Sequence, residues 1–364
     1  MVDDATCIEL ALQASEPLTG ATSDIVKAFN HLPREVTFQV ARCMGVHPDI
    51  ILAWASAATQ LKRHFVVKNS PSCQVGSTTG FVEGCGMSVV AMVLINTLIH
   101  AFLQCKHPDV TFTTYVDNYE LQSSTAQQTT DALQSLTGFC SLLDIQLDQK
   151  KTYRWACSAQ GRQQIRDTQD TLVTATRDLG AHMQFDARRT NFTVTSKFKA
   201  LPDLWHLLAR SQASYDQKIK ILRTVAWPRA MYAIATVHIG NSFFVDARAG
   251  AFNALGCTKA GANPQIHLSL ITNPTADPEF FALIPTVLQF RRNIPVELLD
   301  LTLAQAAITP ARKRKPGPGG VLLTRLNSIL WTYVANGIFR DDEGVAIHIL
   351  DSPIQDLRQR LTRA

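Results

Sequence analysis

Asp24 and Asp117 are the residues of this chain whose type and setting best suit chemistry. Residues 21–30 read as a strand that enters a turn and a helix, which leaves Asp24 at the strand's end. Residues 110–122 read as a β-hairpin: Val110, Phe112, Thr114 and Val116 alternate with their neighbours, Asp117-Asn118 marks the turn, and Tyr119 to Gln122 return. Asp and Asn suit such a turn because they tolerate positive φ. A carboxylate at a strand end beside another at a hairpin tip offers hard oxygen ligands to Mg2+, which is usually held by one or two carboxylates, with phosphates and waters completing its shell. Two such ions about 3.5–4 Å apart support in-line phosphoryl transfer to a growing nucleic acid, one at the attacking hydroxyl and one on the triphosphate. Each aspartate also has a plainer reading, Asp24 as a helix N-cap and Asp117-Asn118 as a turn with no metal. A glycine-rich loop, Gly76 to Gly86, lies between them and favours the joint reading.

The surrounding pattern supplies elements that could hold these groups. Pro33-Arg34-Glu35 opens a helix that Gly45 ends, and a second helix runs from about Pro48 to Lys62. Phe65-Val66-Val67 and Cys73-Gln74-Val75 read as a strand pair. Met87 to Leu103 reads as an apolar helix. Its core, Val89 to Leu103, is shorter than the roughly 20 residues of a membrane span and contains Asn96 and His100, so a buried core helix is expected. Thr125 to Leu143 is amphipathic, Ile145–Leu147 and Tyr153–Cys157 read as short strands, and another strand pair is expected to flank Phe185–Val194. From Lys197 the pattern is helical. Pro310 to Gly320, with Arg312-Lys313-Arg314-Lys315, reads as a basic, solvated linker before a helical tail.

The chain has 364 residues, 46% hydrophobic and 18% charged, enough for two or three folded domains. A net charge of +5 permits nucleic-acid partners without demanding them. Eight scattered cysteines, with no Cys-x-x-Cys pair, fit a reducing compartment better than a zinc site or disulfide framework. Acidic residues near the start, Asp3, Asp4 and Glu9, fit neither a signal nor a transit peptide. An intracellular location, with the nucleus as an option, is therefore expected.

Ser23-Asp24-Ile25-Val26-Lys27-Ala28-Phe29-Asn30 resembles the first palm motif of reverse transcriptases, especially those of LINE-type retrotransposons. Thr79 to Ser88 resembles their Gly-x-Pro-Gln-Gly loop, Tyr115-Val116-Asp117-Asn118 their Tyr-x-Asp-Asp box, and Leu147 to Thr152 the next motif, which ends in Lys-Thr. Leu179-Gly180 resembles the turn at the base of their thumb, and Ile219 to Tyr232 the thumb helices. The resemblance implies an α+β palm, an antiparallel sheet packed on helices, followed by a helical thumb and helical extension. It divides the chain into a palm with finger remnants (1–195), thumb (196–245), helical extension (246–309), linker (310–320) and helical tail (321–364). It implies RNA-directed DNA synthesis with Mg2+, or Mn2+, on an RNA template and DNA primer, using deoxynucleoside triphosphates. Asp24 and Asp117 would ligate the metals, beside Asn118. Lys151 would face the triphosphate, and Phe29 would exclude a 2′ hydroxyl. Gly84 and Gly86 would admit base and template, and Tyr115 would line the primer terminus.

Departures from that pattern matter equally. Asn118 stands for the second aspartate of the box, Asn30 for an acidic residue, and Val82-Glu83 for Pro-Gln, which places a charge near the template. The family's basic fingertips lie upstream of the first palm motif, and Asp24 comes early here, so weakened triphosphate binding is expected. Two alternatives remain open at this point: an RNA-dependent RNA polymerase, against which Phe29 speaks, and a non-catalytic nucleic-acid-binding scaffold that retains the fold.

Overall fold

The computed structural model describes residues 2–64, 66–168, 170–257, 261–272, 274–293 and 296–363. It divides into two compact units, residues 17–173 and residues 1–16 with 174–364. Residues 1–16 and 174–195, grouped with the palm on sequence, thus cluster with the later part of the chain.

In the first unit β1 (Thr19–Asp24) precedes a ribbon of four two-residue strands, β2 (Lys62–Arg63), β3 (Val66–Val67), β4 (Ser70–Pro71) and β5 (Val75–Gly76). Phe65, expected in this strand pair, lies outside the described residues. Then come β6 (Thr111–Tyr115), β7 (Asn118–Ser123) and β8 (Tyr153–Ala156). The main sheet has the order β6-β7-β1-β8 with every neighbour antiparallel. The expected strand at Ile145–Leu147 reduces to a single bridge between Leu147 and Ile25. The helices Gly86–Lys106 and Ala126–Leu142 pack on this sheet, with Phe102 and Phe139 stacked 4.2 Å apart between them. The second helix starts where the Thr125 side chain accepts the Gln128 N–H, and it buries Ala126, Thr129, Ala132, Leu136 and Cys140 at three- and four-residue spacing. The first is 21 residues long, more than the sequence pattern suggested, and it is long and apolar enough to cross a membrane. Its Ala91, Met92, Ile95, Ile99 and Leu103 are nonetheless buried in the core of this unit. The expected α+β arrangement, an antiparallel sheet packed on helices, is what the chain adopts.

The second unit is mainly helical, with two small sheets. β9 (Ala175–Asp178) and β10 (Ala181–Gln184) form a hairpin, where a strand pair was expected to flank Phe185–Val194. The turn is set by Leu179 and Gly180, both at positive φ (43° and 81°), which suits a tight two-residue connection, while Phe192–Lys199 is a helix. The tail from Val321 was expected to be helical, with one or two helices. Instead the helix Pro318–Ser328 leads into a three-stranded sheet, β11 (Thr332–Ala335), β12 (Ile338–Arg340) and β13 (Ala346–His348), before the helix Ile354–Arg363. Its short alternating strands turn at Asn336-Gly337, both at positive φ, so Phe339 and Ile347 reach the core. Pro310, Ala311 and Lys313 are exposed, but Arg314 and residues 316–320 are buried, so this segment is only partly a solvated linker. Arg314 is buried and its Nε donates to the carbonyls of Ala306 and Thr309 (2.9 and 3.2 Å), taking up otherwise unpaired groups at the end of the helix Val296–Ile308.

Glu9, from the helix Val2–Ala14, is fully buried in this unit. Its carboxylate accepts the N–H groups of Gly319 and Gly320, both at 2.8 Å, at the start of the helix Pro318–Ser328. A Cβ on Gly317 would stand 2.5 Å from that side chain, so the glycines make the cradle. Burial pushes the Glu9 carboxyl up to about 7 against the two N–H donors. Because the folded form holds its proton more tightly than the unfolded form, this group's contribution is full below about pH 4.5 and is lost as pH rises toward 7, about 3 kcal/mol across the window. Glu9→Gln, an uncharged isostere, is expected to flatten the dependence of unfolding free energy on pH between 4.5 and 7. An unchanged slope would refute the assignment.

Candidate functional site

β1 delivers Asp24 and the β6–β7 hairpin delivers Asp117 to one place. Asp24 is the register partner of Asn118, and the Ile25 N–H donates to the Asp117 carbonyl at 3.0 Å. On the other side the Asp148 N–H donates to the Asp24 carbonyl at 2.7 Å, so the backbone of Asp24 is held from both flanks. Asp148 then shapes the turn that carries Lys151. Its Oδ1 accepts the Lys150 N–H and its carbonyl accepts those of Lys151 and Thr152. The turn aims the Lys151 ammonium at Asp24 Oδ2, 2.7 Å away. The other carboxylate oxygen, Asp24 Oδ1, is buried with no hydrogen-bond partner among the described residues.

The two carboxylates feel each other. Burial raises the Asp117 carboxyl above the ordinary range, its own N–H opposes this, the Asp24 charge raises it further and Lys151 lowers it. Lys151 is pushed up, chiefly by its hydrogen bond to Asp24. A carboxylate pair with one orphaned buried oxygen is a hard-oxygen donor set, and it fits a divalent cation that needs only one or two protein carboxylates. Among the described residues no group of three or more His, Cys, Asp or Glu side chains is arranged to hold a metal. The fit therefore rests on Asp24 and Asp117 alone.

Sequence reasoning missed what supports the hairpin tip. The residue at positive φ there is Val116, at 57°, where Asp117 or Asn118 was expected. A β-branched residue is rarely found in that region, so neighbouring groups must hold it. Asn96, buried on the Gly86–Lys106 helix, does so: its Nδ2 donates to the Val116 carbonyl at 2.8 Å, and its Oδ1 accepts the Tyr119 hydroxyl at 2.9 Å. A lone asparagine in an apolar helix was visible as an anomaly, and that was the available signal.

The other predicted residues fall into place unevenly. Phe29 is half-buried against the core of its unit, and its carbonyl accepts the Phe81 N–H at 2.6 Å. Tyr115 is exposed and is the register partner of Asn118. Gly84 and Gly86 both face open space, so no contact among the described residues requires them to be glycine, although Gly84 has φ +83°. The required glycine is Gly80. At φ +71° a Cβ there would lie 2.2 Å from the Asn30 carbonyl oxygen, and Arg34 clamps the loop by donating to the Gly80 and Ser77 carbonyls (2.7 and 2.6 Å).

Two departures from the family pattern prove to be partners. Asn30 Nδ2 donates to Glu83 Oε1 at 2.7 Å, and Arg63 Nη1 donates to Asn30 Oδ1 at 2.9 Å. Glu83, expected to place a charge near the template, has its carboxylate engaged by Asn30, with Arg63 next in line. Asn30→Asp is expected to place two carboxylates face to face and destabilise this unit by about 1 kcal/mol, whereas Asn30→Asp with Glu83→Gln restores a hydrogen bond and recovers most of it. Urea unfolding of the single and double variants measures the coupling, and strict additivity would rule the pairing out.

No family model matches this chain, and no curated protein matches it. Among solved structures, apo telomerase from Candida tropicalis superposes with a TM-score of 0.40 at 10% identity, over 79% of this chain and 52% of that one. Telomerase from Candida albicans in complex with a TWJ fragment of telomeric RNA gives 0.38 at 11% identity, over 79% and 52%. The corresponding RNA complex from Candida tropicalis gives 0.39 at 10%, over 88% and 47%. The chain spans about half the length of these proteins.

Proposed function

We propose that this chain is a template-directed nucleotidyltransferase of the reverse-transcriptase kind, extending a DNA primer on an RNA template with deoxynucleotides. The observation that carries the reading is the convergence of Asp24, Asp117 and Lys151, with Asp24 Oδ1 left buried and unpaired. Asp24 and Asp117 would hold Mg2+ or Mn2+, which would lower the barrier by neutralising charge on the attacking and leaving oxygens. Lys151 would exchange its contact with Asp24 for the triphosphate, where its charge offsets that of the leaving pyrophosphate. Phe29 would stand against a 2′ hydroxyl and Tyr115 would border the primer terminus. In the second unit a groove lined by Arg177, Lys197, Arg229 and Tyr232, with no acidic lining residue among the described residues, suits a phosphate backbone. Lys197 Nζ lies 5.1 Å from the Tyr232 ring centroid.

Primer extension on an RNA template tests the reading, with the chain as it stands, Asp117→Ala and Asn118→Asp. Asp117→Ala is expected to abolish extension. Extension that survives it, or none from any of the three, would overturn the catalytic reading. Because Asn118 removes one negative charge, Asn118→Asp is expected to lower the Mg2+ concentration needed for half-maximal extension and to shrink any preference for Mn2+. Since the Asp117 carboxyl is raised, cation binding should strengthen as pH rises through its titration. One observation favours a second reading, a non-catalytic nucleic-acid scaffold: Lys151 already neutralises Asp24, as a structural ion pair would. Duplex binding without extension in any variant would select it.

A further inference from the structure

The ribbon β2–β5 carries two consecutive exposed valines in the first unit. β3 and β4 join through Lys68 and Asn69, both at positive φ (48° and 65°), the two-residue turn whose twist suits a hairpin. Val66 and Val67 are consecutive and each is 68% exposed. Side chains alternate across a ribbon, so both of its faces carry an uncovered valine near the tip. An isolated two-stranded ribbon is marginal in water, and this one is fastened at its base. Arg34 holds the Ser77 and Gly80 carbonyls, and Arg63 reaches Asn30. Asn30 and Arg34 lie six and ten residues after Asp24 in the chain.

Charge selects the partner. Residues 50–82 contain Lys62, Arg63 and Lys68 but no Asp or Glu. Lys62 and Lys68 are exposed and enter no ion pair among the described residues. A narrow ribbon with free cations along it and aliphatic groups at its tip is complementary to a groove in duplex nucleic acid, where phosphates line the rims and sugars and base edges form the floor. We propose that residues 62–76 form an arm that lies in a groove of the primer–template duplex, with Lys62 and Lys68 on phosphates and Val66 and Val67 against the floor. The inference rests on the nucleic-acid reading of the chain and adds an interaction outside the carboxylate site.

Fluorescence anisotropy with a short RNA–DNA hybrid, run across a salt series beside primer extension, tests it. Lys62→Gln with Lys68→Gln is expected to reduce the slope of log affinity against log salt by about 2, since each phosphate that a lysine neutralises contributes about 0.9. Val66→Ser with Val67→Ser is expected to weaken binding about tenfold with the slope unchanged. Since these side chains are exposed, the unfolding midpoint should hold in both variants. Hybrid binding with unaltered slope and affinity in both would overturn the arm while leaving the polymerase reading to the extension assay. Weaker binding of the variants to anionic phosphatidylserine vesicles, with hybrid binding unaffected, would likewise overturn it in favour of a membrane surface. If the unmodified chain binds no hybrid, the arm and the nucleic-acid reading fall together.

Discussion

Asn96→Leu is expected to cost about 3 kcal/mol of folding stability and to reduce primer extension at least tenfold. The substitution keeps apolar volume but removes both ends of a buried bridge, leaving the Val116 carbonyl and the Tyr119 hydroxyl without the partners that Asn96 gives them. Each unpaired buried group costs about 1–3 kcal/mol. Val116 is the more consequential of the two, because its positive φ is tolerated only while its surroundings enforce it. Once freed, the tip should relax toward an ordinary backbone conformation and carry Asp117 away from Asp24. Tyr119→Phe removes only the hydroxyl and should cost about 1 kcal/mol, with extension nearly retained, which separates hairpin placement from general destabilisation. Urea unfolding and extension rates on the two variants decide the matter. Equal losses of extension at unequal stability would count against a positioning role for Asn96.

The second large effect is expected at Gly80→Ala. Two costs combine there: a left-handed backbone that penalises any L side chain by roughly 1–2 kcal/mol, and a methyl group placed 2.2 Å from the Asn30 carbonyl oxygen. Backbone cannot rotate aside as a side chain can, so the loop must shift and the hydrogen bonds from Arg34 must lengthen or break. A loss of about 3 kcal/mol or more is expected for the unit. Gly84→Ala makes the informative comparison. It has a similar φ of +83° but nothing within 4 Å of the new Cβ, so only the conformational cost of about 1–2 kcal/mol applies. If the two variants lose equal stability by thermal unfolding, the close approach to Asn30 is not what demands glycine at position 80.

Local periodicity made part of the site readable in advance. Alternation in 110–122 and the strand preceding Asp24 follow from neighbouring residues, and the structure pairs those strands with Asp24 opposite Asn118. The acidic pair and Lys151 were readable as residue types. Their meeting was not, since 127 residues separate Lys151 from Asp24 and only the Asp148 turn brings them to 2.7 Å. The basic run around Arg314 looked solvated because charge is normally exposed. The structure buries Arg314 because helix-end carbonyls need donors, and no local pattern encodes that need.

By itself the sequence determined the alternating strands around Asp24 and Asp117, the apolar helix behind them and the glycine-rich loop between, because these follow from neighbours within a few residues. Tertiary structure alone decided that Asn96 holds the strained Val116, that Asn30 and Glu83 are partners, and which glycine is required. Each depends on groups distant in sequence meeting within a few ångströms, where an unpaired polar atom or an extra methyl costs as much as a sizeable share of the folding free energy.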